Sequence, residues 1–218
     1  LKFALVTAYN EAYQPLANIT WDQNKKLYAE RHGYSAYTVT DGFTTLGDIS
    51  WARTRKVVEL LESGYDWVHA VGCDTMITNF DIRLEDIVDD NSHFIIATDC
   101  FNINNDSYLA RNTPECIAWL KLLDTFQDQY DMKHAWNDQQ CMIDHIEKLG
   151  DKLRIVPQRL INAYDYDQYP GSIPHIYKRD IFGNDGQWQP GDFLIQWPGI
   201  KNDRRIPLAQ QMLTQVIK

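Results

Sequence analysis

The chain has 218 residues, 44 % hydrophobic and 23 % charged, with 30 acidic against 21 basic side chains and a net charge of -9. Those values fit a soluble globular protein with enough apolar side chains for a sizeable core, and argue against an extended nucleic-acid partner, whose phosphates such a surface repels. No apolar run approaches membrane-spanning length, and Cys73, Cys100, Cys116 and Cys141 lie too far apart to announce zinc or a disulfide framework. A reducing, cytoplasmic setting is expected. One domain, 1–218, is expected, cut from a longer chain if sequence upstream of Leu1 has been lost.

In chain order, "LKFALVTAYN" reads as a strand with a polar end, and Ala12 to Gly33 as one helix with Leu16, Ile19, Leu27 and Tyr28 on its apolar face. "YSAYTVTDG" is a second strand and "SWARTRKVVELLESGY" a second helix, stopped by Gly64. The third strand, "YDWVHAVGCD", carries Val68, Ala70 and Val71 straight into Asp74. "HFIIATDC" and "SYLARN" are a fourth and a short fifth strand. "TPECIAWLKLLDTF" is a helix with Thr113 as N-cap and Pro114 first, and "NDQQCMIDHIEKLG" another, with Asn137 and Gln140 spaced as a capping box. After "KLRIVPQ" the pattern loosens until "FLIQWPG". Strands alternating with helices predict an α/β fold with a mostly parallel central sheet flanked by helices, nucleotide-binding in type.

Open α/β sheets bind ligands at the carboxyl ends of their strands, where Asp74 falls. A magnesium- or manganese-type ion takes oxygen ligands and is often held by one or two carboxylates plus substrate phosphates, so a single aspartate can serve. A turn aspartate bonded to its own backbone is the competing explanation. In "GDFLIQWPGIK", Gln196 offers an amide oxygen and Lys201 an ammonium; a hairpin with a solvated lysine explains the same letters.

Together these blocks resemble the nucleotide-sugar glycosyltransferases of family 34, which include fungal galactosyl- and mannosyltransferases and plant xyloglucan xylosyltransferases. As a whole the chain is also similar to chlorella-virus glycosyltransferases acting on capsid glycans. The resemblance implies the GT-A (Rossmann-like) fold, a UDP- or GDP-sugar donor (UDP being the expectation here), Mn2+ or Mg2+, an oligosaccharide or glycoprotein acceptor, and retention of anomeric configuration. The family's Asp-x-Asp is matched by "VGCDT": Asp74 stands at its second aspartate, as a metal and diphosphate ligand, and Gly72 replaces the first. "INNDSYLARN" resembles the family's "LNTGSFLIRN", making Asn104 a sugar contact while Asp106 replaces a glycine. "NDQ" is similar to the family's "DDQ", placing Asp138 opposite the donor sugar with Asn137 in place of the first aspartate. In "GDFLIQWPGIK", Lys201 falls at a phosphate-contacting lysine and Gln196 replaces a metal-binding histidine.

By the same resemblance Thr7, Ala8 and Tyr9 hold the nucleotide base, and Trp51 and Arg53 match a "WxK" that braces phosphates, unless Trp51 is simply core. His175 is a candidate substitute metal ligand, more ordinarily a solvated loop histidine. Trp188, Trp197, Tyr164, Tyr166 and Tyr169 are candidates for stacking on sugar faces in a chain with 12 % aromatics, most of which pack. Two alternatives stay open. A sugar nucleotidyltransferase would show a Gly-rich basic loop after the first strand, which "VTAYNEAYQP" lacks, and a noncatalytic glycan-binding module would bind sugar without nucleotide.

Overall fold

The computed structural model describes residues 1–43, 48–131, 137–169 and 175–218. Strand β1 (Phe3–Ala8) is buried along its whole length, and its side chains alternate between two apolar layers. Phe3 and Leu5 face one layer, Ala4 and Val6 the other. A strand buried on both faces belongs inside a sheet covered on both sides. The chain then folds through helices α1 (Gln14–Thr20) and α2 (Lys26–His32) into β2 (Ser35–Val39), and through α3 (Asp48–Glu62) into β3 (Trp67–Val71).

Beyond β3 come β4 (Thr75–Ile77), β5 (Phe94–Thr98), β6 (Ile103–Arg111), helices α4 (Pro114–Asp124), α5 (Gln127–Asp131) and α6 (Asn137–His145), and β7 (Leu153–Val156). The chain closes with α7 (Gln158–Ile161), β8 (Ala163–Tyr164), β9 (Leu194–Gln196) and α8 (Asn202–Leu213). The six-stranded sheet has the order β2-β1-β3-β6-β5-β7, and a small sheet has the order β4-β9-β8. Side chains from α3, α4 and α6 cover one face of the large sheet; those from α1, α2, α8 and the small sheet cover the other.

The central sheet is mixed. Among the described residues β6 is the one strand antiparallel to its neighbours, β3 and β5, and the others run parallel. The expected short strand "SYLARN" is therefore nine residues long and reversed. Reversal brings its first residues to the sheet edge where β1 and β3 end: Val71 pairs with Ser107, and the Gly72 amide donates to the Asp106 carbonyl at 2.7 Å. A register shift between Ile96 and Ala97 on β5 bends the sheet at the same edge.

The helix expected over Ala12 to Gly33 is broken by a π turn, Trp21–Lys25, before Gly33 closes it in the left-handed conformation at φ 71°. The widened turn reaches the segment after β3. Thr20 Oγ1 donates to the Cys73 carbonyl at 2.6 Å, Lys25 Nζ donates to the Thr75 carbonyl, and Asn24 exchanges two bonds with the Ile77 backbone, both 2.8 Å. Asp74 is thus fixed by a clamp on either side of it. Asn24 and Lys25 are both 0 % exposed, and burial pulls the Lys25 ammonium down to about 8. Asn24→Ala leaves an amide and a carbonyl of β4 unpaired in the core, so urea unfolding is expected to register a loss of about 3 kcal/mol. A loss below about 1 kcal/mol would mean the clamp is dispensable.

Thr113 caps α4 as expected, its side chain accepting the Cys116 amide. Gln140 donates to Asp144 at 2.8 Å, one turn along α6. Among the described residues all four cysteines are free thiols, and no helix is long and apolar enough to cross a membrane.

Candidate active site

Where β1 and β3 end and β6 begins, the first turn of α6 closes over the sheet edge and leaves two cavities. One, of about 470 Å³, is lined by Ala8, Tyr9, Arg53 and Asp138 among others; the second, of about 750 Å³, by Asn104, Gln196 and a row of tyrosines. Asp74, Asn105, Asp106 and Gln139 line both. The junction is therefore carboxylate- and amide-rich, between a polar chamber and an aromatic one.

Asp74 is tied through Oδ2 to Arg205 Nη2 of α8 at 2.8 Å. Burial and the Asp106 carboxylate push its carboxyl up to about 7, against the pull of Arg205. Asp106 accepts from Gln196 Nε2 at 2.6 Å and from Arg53 Nη1 at 3.3 Å, while Arg53 Nη2 donates to the Asn105 carbonyl at 2.9 Å. Asp138 accepts from Asn105 Nδ2 at 2.6 Å. Burial raises its carboxyl, and Arg53 and the hydrogen bonds from Asn105 and Ser50 oppose that rise. Asp74, Asp106 and Asp138 are thus balanced by Arg53, Arg205 and Lys25. A diphosphate entering so balanced a site needs an extra cation or the release of an arginine from its carboxylate.

The sequence-expected residues divide into groups. Ala8, Tyr9, Arg53, Asp74 and Asp138 meet in the first cavity. Thr7 lies beneath them, 0 % exposed, its hydroxyl without a partner. Asn104 and Gln196 line the second cavity, and Asn104 is bound there to Asp99 at 3.1 Å and to the Tyr164 hydroxyl at 2.6 Å. Lys201 is exposed at the N-cap of α8 and lines neither cavity. One turn further on, Arg205 holds the place beside Asp74.

Trp51 and Trp197 are core residues, and Trp188 donates to the Thr78 hydroxyl at 3.1 Å. Tyr164, Tyr166 and Tyr169 do line the second cavity. Their hydroxyls are tied to Asp99, Gln158 and the Pro198 carbonyl, and adjacent rings are 5.5 and 6.2 Å apart. The side chain of His175 lies outside the described residues.

Sequence reasoning missed Asn105, Gln139 and Arg205. Asn105 and Gln139 lie inside motifs quoted for their neighbours, and only the antiparallel course of β6 reveals that they meet: the Asn105 amide donates to Gln139 Oε1 at 3.2 Å. Arg205 had a weak signal, its i,i+4 spacing from Lys201.

The fold compares well with solved glycosyltransferases. A glycosyltransferase involved in glycosylation of the major capsid of PBCV-1 superposes with a TM-score of 0.75 at 10 % identity, covering 97 % of this chain and 100 % of that one. The galactosyltransferase LgtC gives 0.57 at 12 % identity, covering 99 % and 96 %. GlyE of Streptococcus pneumoniae TIGR4 gives 0.58 at 13 %, covering 97 % of this chain and 60 % of that one. No curated protein matches the sequence.

The fold is thus the GT-A fold of solved glycosyltransferases, with a carboxylate-lined junction at its strand ends. Residues 87–206, more than half of the chain, match the galactosyl transferase GMA12/MNN10 family, and the chain belongs to that family.

The GT-A class implies a divalent ion. Among the described residues no three His, Cys, Asp or Glu side chains converge as a metal site. The donors at the junction are instead two carboxylates that line both cavities, Asp74 and Asp106, and the Oε1 of Gln196, a buried acceptor with no partner. Hard oxygens in that number fit an ion of the magnesium or manganese kind, which keeps waters and substrate phosphates as its remaining ligands.

Proposed function

We propose that the protein transfers a hexosyl or deoxyhexosyl unit from a UDP-sugar to a hydroxyl of a glycan or glycoprotein, with retention and with Mn2+ or Mg2+. The observation that carries this reading is the meeting of two unlike cavities at Asp74, Asn105, Asp106 and Gln139. In it, the polar chamber takes the nucleotide diphosphate, with the base against Ala8 and Tyr9. The aromatic chamber takes the acceptor, whose sugar faces stack on Tyr166 and Tyr169. Asp74, with Asp106 and Gln196, would hold the ion, which supplies positive charge against the leaving diphosphate.

Arg53 and Arg205, already oriented on carboxylates, add donors for the phosphates, and Lys201 can join them only from outside the cavities. Asp138 stabilises positive charge at the anomeric carbon, or attacks it if its oxygen comes close enough; Asn105 holds its orientation. Asn104 positions the acceptor side through Asp99 and Tyr164. The setting in this reading is cytoplasmic, and the apolar layers on both faces of the sheet support 1–218 as one domain. A capsid glycan is the acceptor suggested by the PBCV-1 neighbour.

Thermal shifts with UDP, GDP and several UDP-sugars, each with Mn2+ or chelator, test the reading on wild type and Asp74→Ala. A UDP-sugar shift that needs metal and disappears in the variant is expected. Stabilisation by free glycans with no nucleotide response would make the protein a glycan-binding module, and an inverted anomer in product NMR would remove retention.

A further inference from the structure

Gly72 and Asp106 occupy one space. An ideal Cβ built on Gly72 would lie 2.1 Å from Asp106 Oδ2, 2.2 Å from Oδ1 and 2.4 Å from Cγ. Real Cβ atoms do not approach other atoms so closely, so a side chain at 72 and the Asp106 carboxylate exclude each other as placed. The strands explain the coincidence: β6 runs antiparallel beside β3, and the Gly72 amide bonds the Asp106 carbonyl. The glycine at 72 is thus what leaves room for the Asp106 carboxylate.

We propose that Asp106 supplies the carboxylate missing at position 72, so that the divalent cation is held across two strands by Asp74 and Asp106, with Gln196 Oε1 as a third, neutral ligand. Three observations converge. The Asp106 carboxylate fills the volume in front of Gly72 and lines both cavities together with Asp74. The Gln196 amide is anchored to Asp106 through Nε2 at 2.6 Å, on a side chain 4 % exposed whose Oε1 has no partner. Thr75 on β4 pairs with Gln196 on β9, which brings that amide beside Asp74. The Arg205 salt bridge uses Asp74 Oδ2 and leaves Oδ1 out of that pair, while Asp106 carries Arg53 on Oδ1 and the Gln196 amide on Oδ2, whose remaining lone pair a cation would take.

This proposal deepens the metal reading above and is tested without donor, so that its failure is separate from failure of the transferase assignment. Mn2+ alone is titrated into the protein, with the free ion followed by electron paramagnetic resonance and folding by circular dichroism. Wild type is expected to show one saturable site, and Asp106→Asn to weaken it about tenfold or more while staying folded. Gly72→Asp alone is expected to lose binding or folding through crowding. Gly72→Asp combined with Asp106→Gly should bind Mn2+ within about threefold of wild type, the carboxylate having returned to the other strand.

Mn2+ binding unchanged in Asp106→Asn overturns the assignment, as does a folded double variant that stays as weak as Asp106→Asn. Absence of Mn2+ binding by wild type overturns it too, leaving Arg53 and Arg205 as the positive charge of a metal-free enzyme.

Discussion

Asp138→Asn is expected to lower kcat for sugar transfer by about 10³-fold while leaving the melting temperature unchanged or higher. The carboxylate lies in the first turn of α6, buried, with Oδ2 held by Asn105 at 2.6 Å. Asparagine keeps the shape and removes the charge, so what disappears is stabilisation of an oxocarbenium-like state or, if Asp138 attacks, the nucleophile itself. Opposite signs for activity and stability identify a group whose charge is kept for chemistry. Burial already raises the Asp138 carboxyl above its ordinary range, which means folding disfavours that charge at neutral pH. A residue that merely capped α6 would behave differently: Asp138→Asn would retain the cap and the activity together. Steady-state kinetics with the donor chosen by thermal shift, beside melting curves, decides it. A kcat within about fivefold of wild type would exclude Asp138 from the reaction.

The order of elements could be read from the letters because their periodicity is local. Two-faced burial of β1, β3 and β5 follows from continuous apolar runs, and α4 begins where Thr113 and Pro114 say it should. The direction of β6 could not be read. A run such as "NNDSYLAR" pairs equally well either way by composition, and only its partners on both sides, β3 and β5, fix the orientation. That one reversal separates the legible half of the site from the rest. Asp74 follows an apolar strand, and Asp138 opens a helix, so both were visible in the sequence; Asn105 and Gln139 meet the other site residues only because β6 starts at the same sheet edge. The π turn was hidden for a related reason. Thr20, Asn24 and Lys25 look like an ordinary helical face, and their task, gripping Cys73 to Ile77, lies some fifty residues away.

Arg53→Met is expected to change both the pH profile and the stability, because Arg53 links three parts of the site. The residue is 6 % exposed, and its guanidinium bonds the Asn105 carbonyl and Asp106 and is the strongest opposing influence on the raised Asp138 carboxyl. Removal leaves Asp106 and Asp138 short of a buried partner, at a cost of about 3 kcal/mol in urea unfolding. The sign for catalysis follows from the same charge. Transfer that uses the Asp138 carboxylate is present above its pKa and lost as pH falls through it; without Arg53 that pKa moves further up, so the acid limb of kcat/KM shifts to higher pH. Arg53→Lys keeps a positive charge but loses the two-pronged grip, so its limb should stay nearer wild type while affinity for the nucleotide falls. Profiles measured from pH 5 to 9 on folded protein would separate the cases. An acid limb that stays put in Arg53→Met, or moves to lower pH, would mean that Asp138 is not the group whose ionisation governs transfer.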